Sequence, residues 1–343
     1  MIGFADQIAE LTSYRDRDQL DVALASALKD LLQPRSVTIQ RCVGEGDERH
    51  WLTRARLSGN SSVATFDGSW TELHMLPKLV PGDPRCLSYS EQRMVLRPGP
   101  PHLTYFPLYG GDAVVGVIEI ETEAAPDENA QRTVQGVLRI YQNFERLLHY
   151  SERDSLTGLL NRKTFDETFL KATADLELPP EYLSDGRRVG GSPCGYWIGV
   201  IDIDHFKRVN DRFGHLIGDE VLLLLSRLMG RSFRIHDRLY RFGGEEFLVL
   251  MRCHGEDDAA QAFERFRSNT ELFQFPQVGT VTVSVGFTAV RPADTPSGAF
   301  ERADKAVYHA KANGRNQVCS HADLLASGVL VENNAKLGDV ELF

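Results

Sequence analysis

The stretch RLYRFGGEEFLVL, residues 238–250, sets two glycines and two carboxylates at the tip of what otherwise reads as a tight β-hairpin. Gly243 and Gly244 can supply the positive φ angles that a two-residue turn requires. Glycine also lets a ligand come close to the backbone. Glu245 and Glu246 follow at once, so the tip carries concentrated negative charge. Acidic turns are ordinarily solvated hairpins, and the neighbouring segments decide whether this one is more.

Upstream, YWIGVIDID (196–204) is a nearly unbroken apolar run ending in acids. This is the pattern of a central strand whose C-terminal end opens onto a cleft. Strand side chains alternate, which puts Asp202 and Asp204 on one face. The next segment, HFKRVNDRFGHLIGD (205–219), reads as a polar loop offering Lys207, Asn210, Arg212, His215 and Asp219, and a helix is expected to begin near Gly218. Crowded carboxylates raise one another's pKa unless a hard cation neutralises them, and Mg²⁺ commonly arrives with phosphates. Near the C-terminus, ERADKAVYHAKANGRNQV (301–318) predicts a helix with Ala303, Ala306, Val307 and Ala310 inward and Gly314 ending it. Lys311 and Arg315, four apart, could grip one polyphosphate or simply complement the helix dipole.

The first half of the chain has a different rhythm. DQLDVALASALKDLLQP (18–34) has helical apolar spacing, and strand-like runs follow at 36–43, 50–57, 103–109 and 113–121. Gly110-Gly111-Asp112 marks a hairpin between the last two. From Asp127 to Ser151 one long helix is expected, with Val134, Val137, Tyr141, Phe144, Leu148 and Ser151 at steps of three and four. That seam fits a two-stranded helical stalk or a terminal helix packing on its own sheet. Residues 178–195, rich in Pro and Gly, predict an exposed loop, and the tail ENNAKLGDVELF (332–343) has no readable pattern.

At 343 residues the chain has room for about two domains. With 38 Lys plus Arg against 48 Asp plus Glu, the net charge of −10 disfavours nucleic acid and anionic membrane as partners. Five scattered cysteines without a CxxC pair point to reduced thiols, and Cys86 in DPRCLSYS is no special attachment site. The first residues lack a signal-peptide pattern, and no run reaches the ~20 apolar residues of a membrane span. The expected localisation is cytoplasmic.

Five segments, DSLTGLLNR (154–162), DIDHFKRVNDRFGHLIGDEVL (202–222), RLYRFGGEEF (238–247), VTVSVGFT (281–288) and ADKAVYHAKANGRN (303–316), together resemble the GGDEF family of diguanylate cyclases in its GGEEF form. YFPLYGGDAVVGVIEIE (105–121) is similar to the closing hairpin of a GAF domain. The resemblances imply an α+β chain: a GAF-like sensory domain over 1–126, with an antiparallel sheet and helices; a linker helix over 127–153; a GGDEF, nucleotidyl-cyclase-like domain over 154–320, its central antiparallel sheet surrounded by helices; and a tail over 321–343. They further imply Mg²⁺, or Mn²⁺ in its place, held by Asp202, the Ile203 carbonyl, Glu245 and Glu246. Asp202, Glu245 and Glu246 would be catalytic, with Glu245 accepting the proton.

By the same resemblance, Asn210 and Asp219 would read guanine, and Phe206, Lys207, Gly243, Gly244, Lys311 and Arg315 would complete the GTP site. The implied reaction makes cyclic di-GMP and two pyrophosphates from two GTP across a homodimer. Arg234 and Asp237, in RIHD ahead of the hairpin, match an RxxD site for inhibitory product, which Arg265 of the second subunit would complete. The GAF-like domain would take an unknown ligand. Two other readings stay open: a silent receptor for GTP or cyclic di-GMP, and a cyclase of relaxed base choice, although Asp219 favours guanine.

Overall fold

The computed structural model describes residues 4–14, 17–44, 46, 48–58, 63–67, 71, 73–177, 194–234 and 236–331. These divide into two compact units, residues 1–151 and 152–343. The predicted loop over 178–195 lies outside the described residues but for its last two, as does the tail over 332–343.

The N-terminal unit comprises α1 (Phe4–Leu11), α2 (Arg17–Leu32), β1 (Ser36–Val43), β2 (His50–Ser58), α3 (Pro84–Glu91), β3 (Val95–Arg97), β4 (His102–Gly110), β5 (Ala113–Thr122) and α4 (Glu128–Glu152). Its strands form one antiparallel sheet in the order β2-β1-β5-β4-β3. The period-two pattern sends Val37, Ile39, Phe106, Leu108, Ile118 and Ile120 to one face, where Leu20, Leu24 and Leu28 of α2 cover them. Val134, Val137, Tyr141 and Leu148 of α4 are buried in that same core. The seam read as a candidate stalk is therefore consumed by the unit's own sheet, since one apolar stripe can bury against only one surface. On the opposite face Trp51, Tyr105 and Val117 pack with Cys42, Cys86 and Tyr89. α3 begins where Asp83 accepts from the Arg85 amide and Pro84 fixes the first turn.

Within the helix-covered layer lies a closed polar network. Arg41 donates from Nε and Nη2 to the two oxygens of Asp21, each at 3.0 Å, and from Nη2 to the Tyr141 hydroxyl at 2.9 Å. The Tyr141 hydroxyl donates in turn to Asp21 Oδ1 at 2.5 Å. One turn along α4, buried Glu145 accepts from the Gly111 amide at 3.1 Å, in the turn joining β4 to β5.

The C-terminal unit comprises β6 (Leu160–Asn161), α5 (Arg162–Glu177), β7 (Gly195–Ile203), α6 (Phe206–Phe213), α7 (His215–Ser232), β8 (Arg238–Arg241), β9 (Glu246–Cys253), α8 (Glu256–Leu272), β10 (Gln274–Phe275), β11 (Gly279–Thr280), β12 (Val283–Ala289), α9 (Pro296–Ala312), β13 (Val318–Ser320) and α10 (His321–Ala326). Six strands form one sheet, β13-β12-β7-β9-β8-β6, with β7 inside it and β10-β11 as a separate ribbon. The centre is antiparallel as expected, but β12-β13 and β6-β8 pair in parallel, so the edges make the sheet mixed.

One sheet face, with Ile201, Ile203, Phe247, Val249, Val283 and Val285, is covered by Val221, Leu225 and Met229 of α7 and Phe263 and Phe266 of α8. α9 covers the other face across an alanine stripe. A Cβ on Gly286 would lie 2.3 Å from the Ala303 carbonyl oxygen, so only glycine admits the helix at this distance. Two sequence expectations change here. The segment read as a polar loop is largely helical, because Phe206 and Val209, three apart, bury one side of α6. The break falls at Gly214, at φ +85°, so the next helix starts at His215 rather than near Gly218.

Candidate active site

The apolar run of β7 places Asp202 opposite Glu246 on β9 and Ser284 on β12, at the strand's C-terminal end. Like charges directly across a ladder repel, and Asp202 is only 5% exposed. Its counter-charge comes from α9: Lys311 Nζ stands 2.7 Å from Asp202 Oδ2. Burial raises the Asp202 pKa, the Lys311 contact opposes that rise, and Asp204 and Asp304 add to it. Burial likewise raises Glu245 and Glu246, and Asp202 reinforces both. Each of the three carboxyl groups thus feels the charge of its acidic neighbours, and Lys311 opposes the rise in all three.

The turn that presents the glutamates differs from the two-residue hairpin expected. The β8-β9 ladder closes at Arg241 opposite Phe247, and the Phe242 and Gly243 amides donate to the Glu246 carbonyl at 2.9 and 3.2 Å. Neither Gly243 nor Gly244 has positive φ. A Cβ on Gly243 would lie 2.6 Å from Glu246 Oε2, so a side chain there would push the Glu246 carboxylate aside. A longer loop does not need the mirror-image dihedrals that a two-residue turn does.

Sequence reading assigned no role to the residues that hold this turn. Arg241 donates from Nη2 to the Gly244 carbonyl at 2.9 Å and from Nη1 to Asp154 at 3.0 Å. Asp154 also accepts from the Thr157 amide and hydroxyl at 2.8 and 2.7 Å. Phe242 stacks on Phe300 with centroids 4.5 Å apart, beneath the Arg162 guanidinium. An arginine two residues before a Gly-Gly pair and an Asp-x-x-Thr turn were the available signals. Asp204 is a further structural acid: it accepts from the Thr282 and Ser284 hydroxyls, each at 2.7 Å, and from the Asn316 amide at 3.0 Å.

Other predicted residues lie around this end of the sheet. Asn210 packs against Gly218, where a Cβ would come within 1.9 Å of its Oδ1, while Lys207 and Asp219 are exposed. Phe206 belongs to the hydrophobic core, its ring edge turned toward Gly218. Arg315 is exposed but sits past the end of α9 at φ +64°, so it and Lys311 do not occupy successive helical turns. The Ile203 amide donates to the Glu245 carbonyl at 3.4 Å, tying the strand end to the turn.

Arg234 and Asp237 are joined by two hydrogen bonds: Asp237 Oδ2 accepts from the Arg234 amide at 2.8 Å, and the Asp237 amide donates to the Arg234 carbonyl at 3.0 Å. Burial pushes the Asp237 pKa up to about 6, against the opposing charges of Arg234 and Arg265. Arg265 is anchored on the Ser232 carbonyl at 2.8 and 3.2 Å, near Asp237 of its own chain. Among the described residues no three His, Cys, Asp or Glu side chains converge as a ready-made metal cage, and the five cysteines are free thiols. The chemistry of the acidic donors nevertheless suits a hard cation: oxygen ligands only, with charge in excess of its compensation. No described helix is long and apolar enough to cross a membrane.

Residues 194–317 match the family model described as diguanylate cyclase, GGDEF domain. Diguanylate cyclase DgcP of Pseudomonas aeruginosa is 38% identical over 168 residues, which cover 48% of this chain and 23% of that protein. Response regulator PleD of Caulobacter vibrioides is 36% identical over 190 residues, covering 52% of this chain and 38% of its own length. The chain thus spans less than half the length of these two relatives. The GGDEF domain of DgcB from Caulobacter crescentus, solved in complex with c-di-GMP, is 32% identical, covering 50% of this chain and 96% of that one, with a TM-score of 0.44. The family match over residues 194–317 lies within the C-terminal unit, so the similarity to diguanylate cyclases is carried by that part of the chain.

Proposed function

We propose that the C-terminal unit condenses two GTP into cyclic di-GMP, releasing two pyrophosphates, with two copies of the chain facing each other so that each contributes one nucleotide. The observation that carries this reading is the group Asp202, Glu245 and Glu246, raised in pKa by burial and mutual repulsion with Lys311 as the cation among them. Asp202, the Ile203 carbonyl, Glu245 and Glu246 would hold Mg²⁺, or Mn²⁺ in its place. The bound cation would neutralise triphosphate charge and the charge that develops on departing pyrophosphate.

The chain's own groups do the rest. Each 3′-hydroxyl attacks the α-phosphorus of the other nucleotide, the bond from that phosphorus to the bridging oxygen breaks, and pyrophosphate leaves. Glu245 takes the hydroxyl proton as general base. Asn210 and Asp219 read the guanine edge, the carboxylate accepting from ring N–H and amino donors. Lys207, Lys311 and Arg315 grip phosphates, and Gly243 and Gly244 let nucleotide approach the turn. Product binds at Arg234, Asp237 and Arg265 and inhibits. The N-terminal unit is a GAF-like sensor whose ligand controls turnover.

The test is to incubate the purified full chain and Mg²⁺ with GTP and, separately, ATP, and to identify products by chromatography and mass. Cyclic di-GMP from GTP alone is the expected result. Unconsumed GTP, or equal conversion of ATP, would overturn it.

A further inference from the structure

The turn after α9 holds two consecutive non-glycine residues in the left-handed region, Arg315 at φ +64° and Asn316 at φ +46°. Asparagine tolerates that conformation, but an arginine there must be held by its surroundings. The holding contacts come from three directions. The Arg315 amide donates to the Ala310 carbonyl at 2.9 Å, and the Asn316 amide to Asp204 Oδ2 at 3.0 Å. The third is a side-chain brace from α8: Arg267 Nη1 donates to Asn316 Oδ1 at 2.7 Å, and Asn316 Nδ2 donates to Glu271 Oε1 at 2.8 Å.

Arg267 is itself fixed. It donates to Glu271 Oε2 at 2.7 Å and to Glu264 through Nε and Nη2, and its side chain is only 14% exposed. An arginine fork satisfied on three sides leaves its Asn316 contact little freedom. The braced turn reaches the acidic strand end on one side, through Asp204, and carries exposed Arg315 on the other.

We propose that Arg267 is a positioning residue: through Asn316 it holds the strained turn that presents Arg315 to the nucleotide's phosphates. The inference rests on the GTP reading above. Loss of the brace lets Arg315 relax out of the left-handed region, so nucleotide binding weakens while the carboxylates that carry the chemistry stay in place.

The test compares Arg267→Met, Arg267→Lys and Asn316→Gly with the wild type in the full chain. The readouts are affinity for a non-hydrolysable GTP analogue with Mg²⁺, GTP kinetics and thermal melting. Asn316→Gly keeps the backbone conformation accessible and leaves Arg267 paired with its glutamates, so it reports on the brace even where Arg267→Met unfolds the unit. Expected are an analogue Kd and a GTP KM raised about tenfold, or about 1.4 kcal/mol, in Arg267→Met and Asn316→Gly. kcat should stay within about twofold, and Arg267→Lys should restore part of the affinity. Adding either change to Arg315→Ala should cost nothing more, because both act through that side chain. Unchanged analogue affinity in both variants, or full additivity with Arg315→Ala, overturns the inference alone. A wild-type protein that binds no analogue overturns the GTP reading beneath it.

Discussion

Each unit of the chain buries charge, and the two do so with opposite balances. In the N-terminal unit Asp21 faces Arg41, with Arg54 at 3.9 Å and the Tyr141 hydroxyl donating into the same pair. In the C-terminal unit Lys311 pairs with Asp202, and Asp202, Glu245 and Glu246 are each pushed up in pKa, first by burial and then by acidic neighbours. The first arrangement is complete within the protein. The second has negative charge to spare, which is how an enzyme prepares a place for a ligand that brings its own cation. A buried charged group is therefore a structural device when its partners close the account, and a candidate site when they do not.

The largest expected effect comes from breaking the balanced network. Asp21→Ala leaves Arg41 buried without its carboxylate and should destabilise the N-terminal unit by about 3–5 kcal/mol. A shift of that size in chemical denaturation would support the structural reading, and a shift below about 1 kcal/mol would contradict it. Removing one of the repelling acids should do the reverse: Asp202→Ala or Glu245→Ala should lower turnover by roughly 100- to 1,000-fold without lowering the melting temperature. Substantial residual synthesis would break the site assignment. Arg241→Met, which releases both Asp154 and the Gly244 carbonyl, should cost about tenfold in turnover, in the range of lost supporting contacts. Asp154→Asn should move activity in the same direction.

A smaller effect concerns pH. Asp237 titrates at about 6 in the folded unit against an ordinary 3.8, so between those values the folded protein holds a proton that the unfolded chain has lost. Stability tied to this group rises as pH falls through about 6 and is lost as pH rises through it. Asp237→Asn should flatten that slope in melts recorded across this range. Arg234→Ala should leave initial rates near those of the wild type and relieve slowing as product accumulates; unchanged inhibition would reduce Arg234 and Asp237 to a structural pair.

Much of the fold was legible because local pattern and burial agree. The β7 run, the strands of the N-terminal sheet and the alanine face of α9 have the periods that their packing requires. The α4 seam was ambiguous for a physical reason: Val134, Val137, Tyr141 and Leu148 present the same stripe to a partner helix or to a sheet, and only tertiary structure reveals which surface is there. α6 was missed because two buried residues, Phe206 and Val209, suffice to dock eight residues that are otherwise polar. At the site, chemical type was readable but partnership was not. Nothing local says that Lys311 meets Asp202 across more than a hundred residues, or that the Gly243-Gly244 turn forms without positive φ.

The contrast between satisfied and unsatisfied charge is tested most directly by calorimetric titration of Mg²⁺ with a non-hydrolysable GTP analogue into the full chain and into its Asp202→Ala and Asp21→Asn variants. The wild type and Asp21→Asn should bind with equal affinity, whereas Asp202→Ala should lose the Mg²⁺-dependent part of the binding. Equal binding by all three, or binding by the wild type that is indifferent to Mg²⁺, would contradict the account.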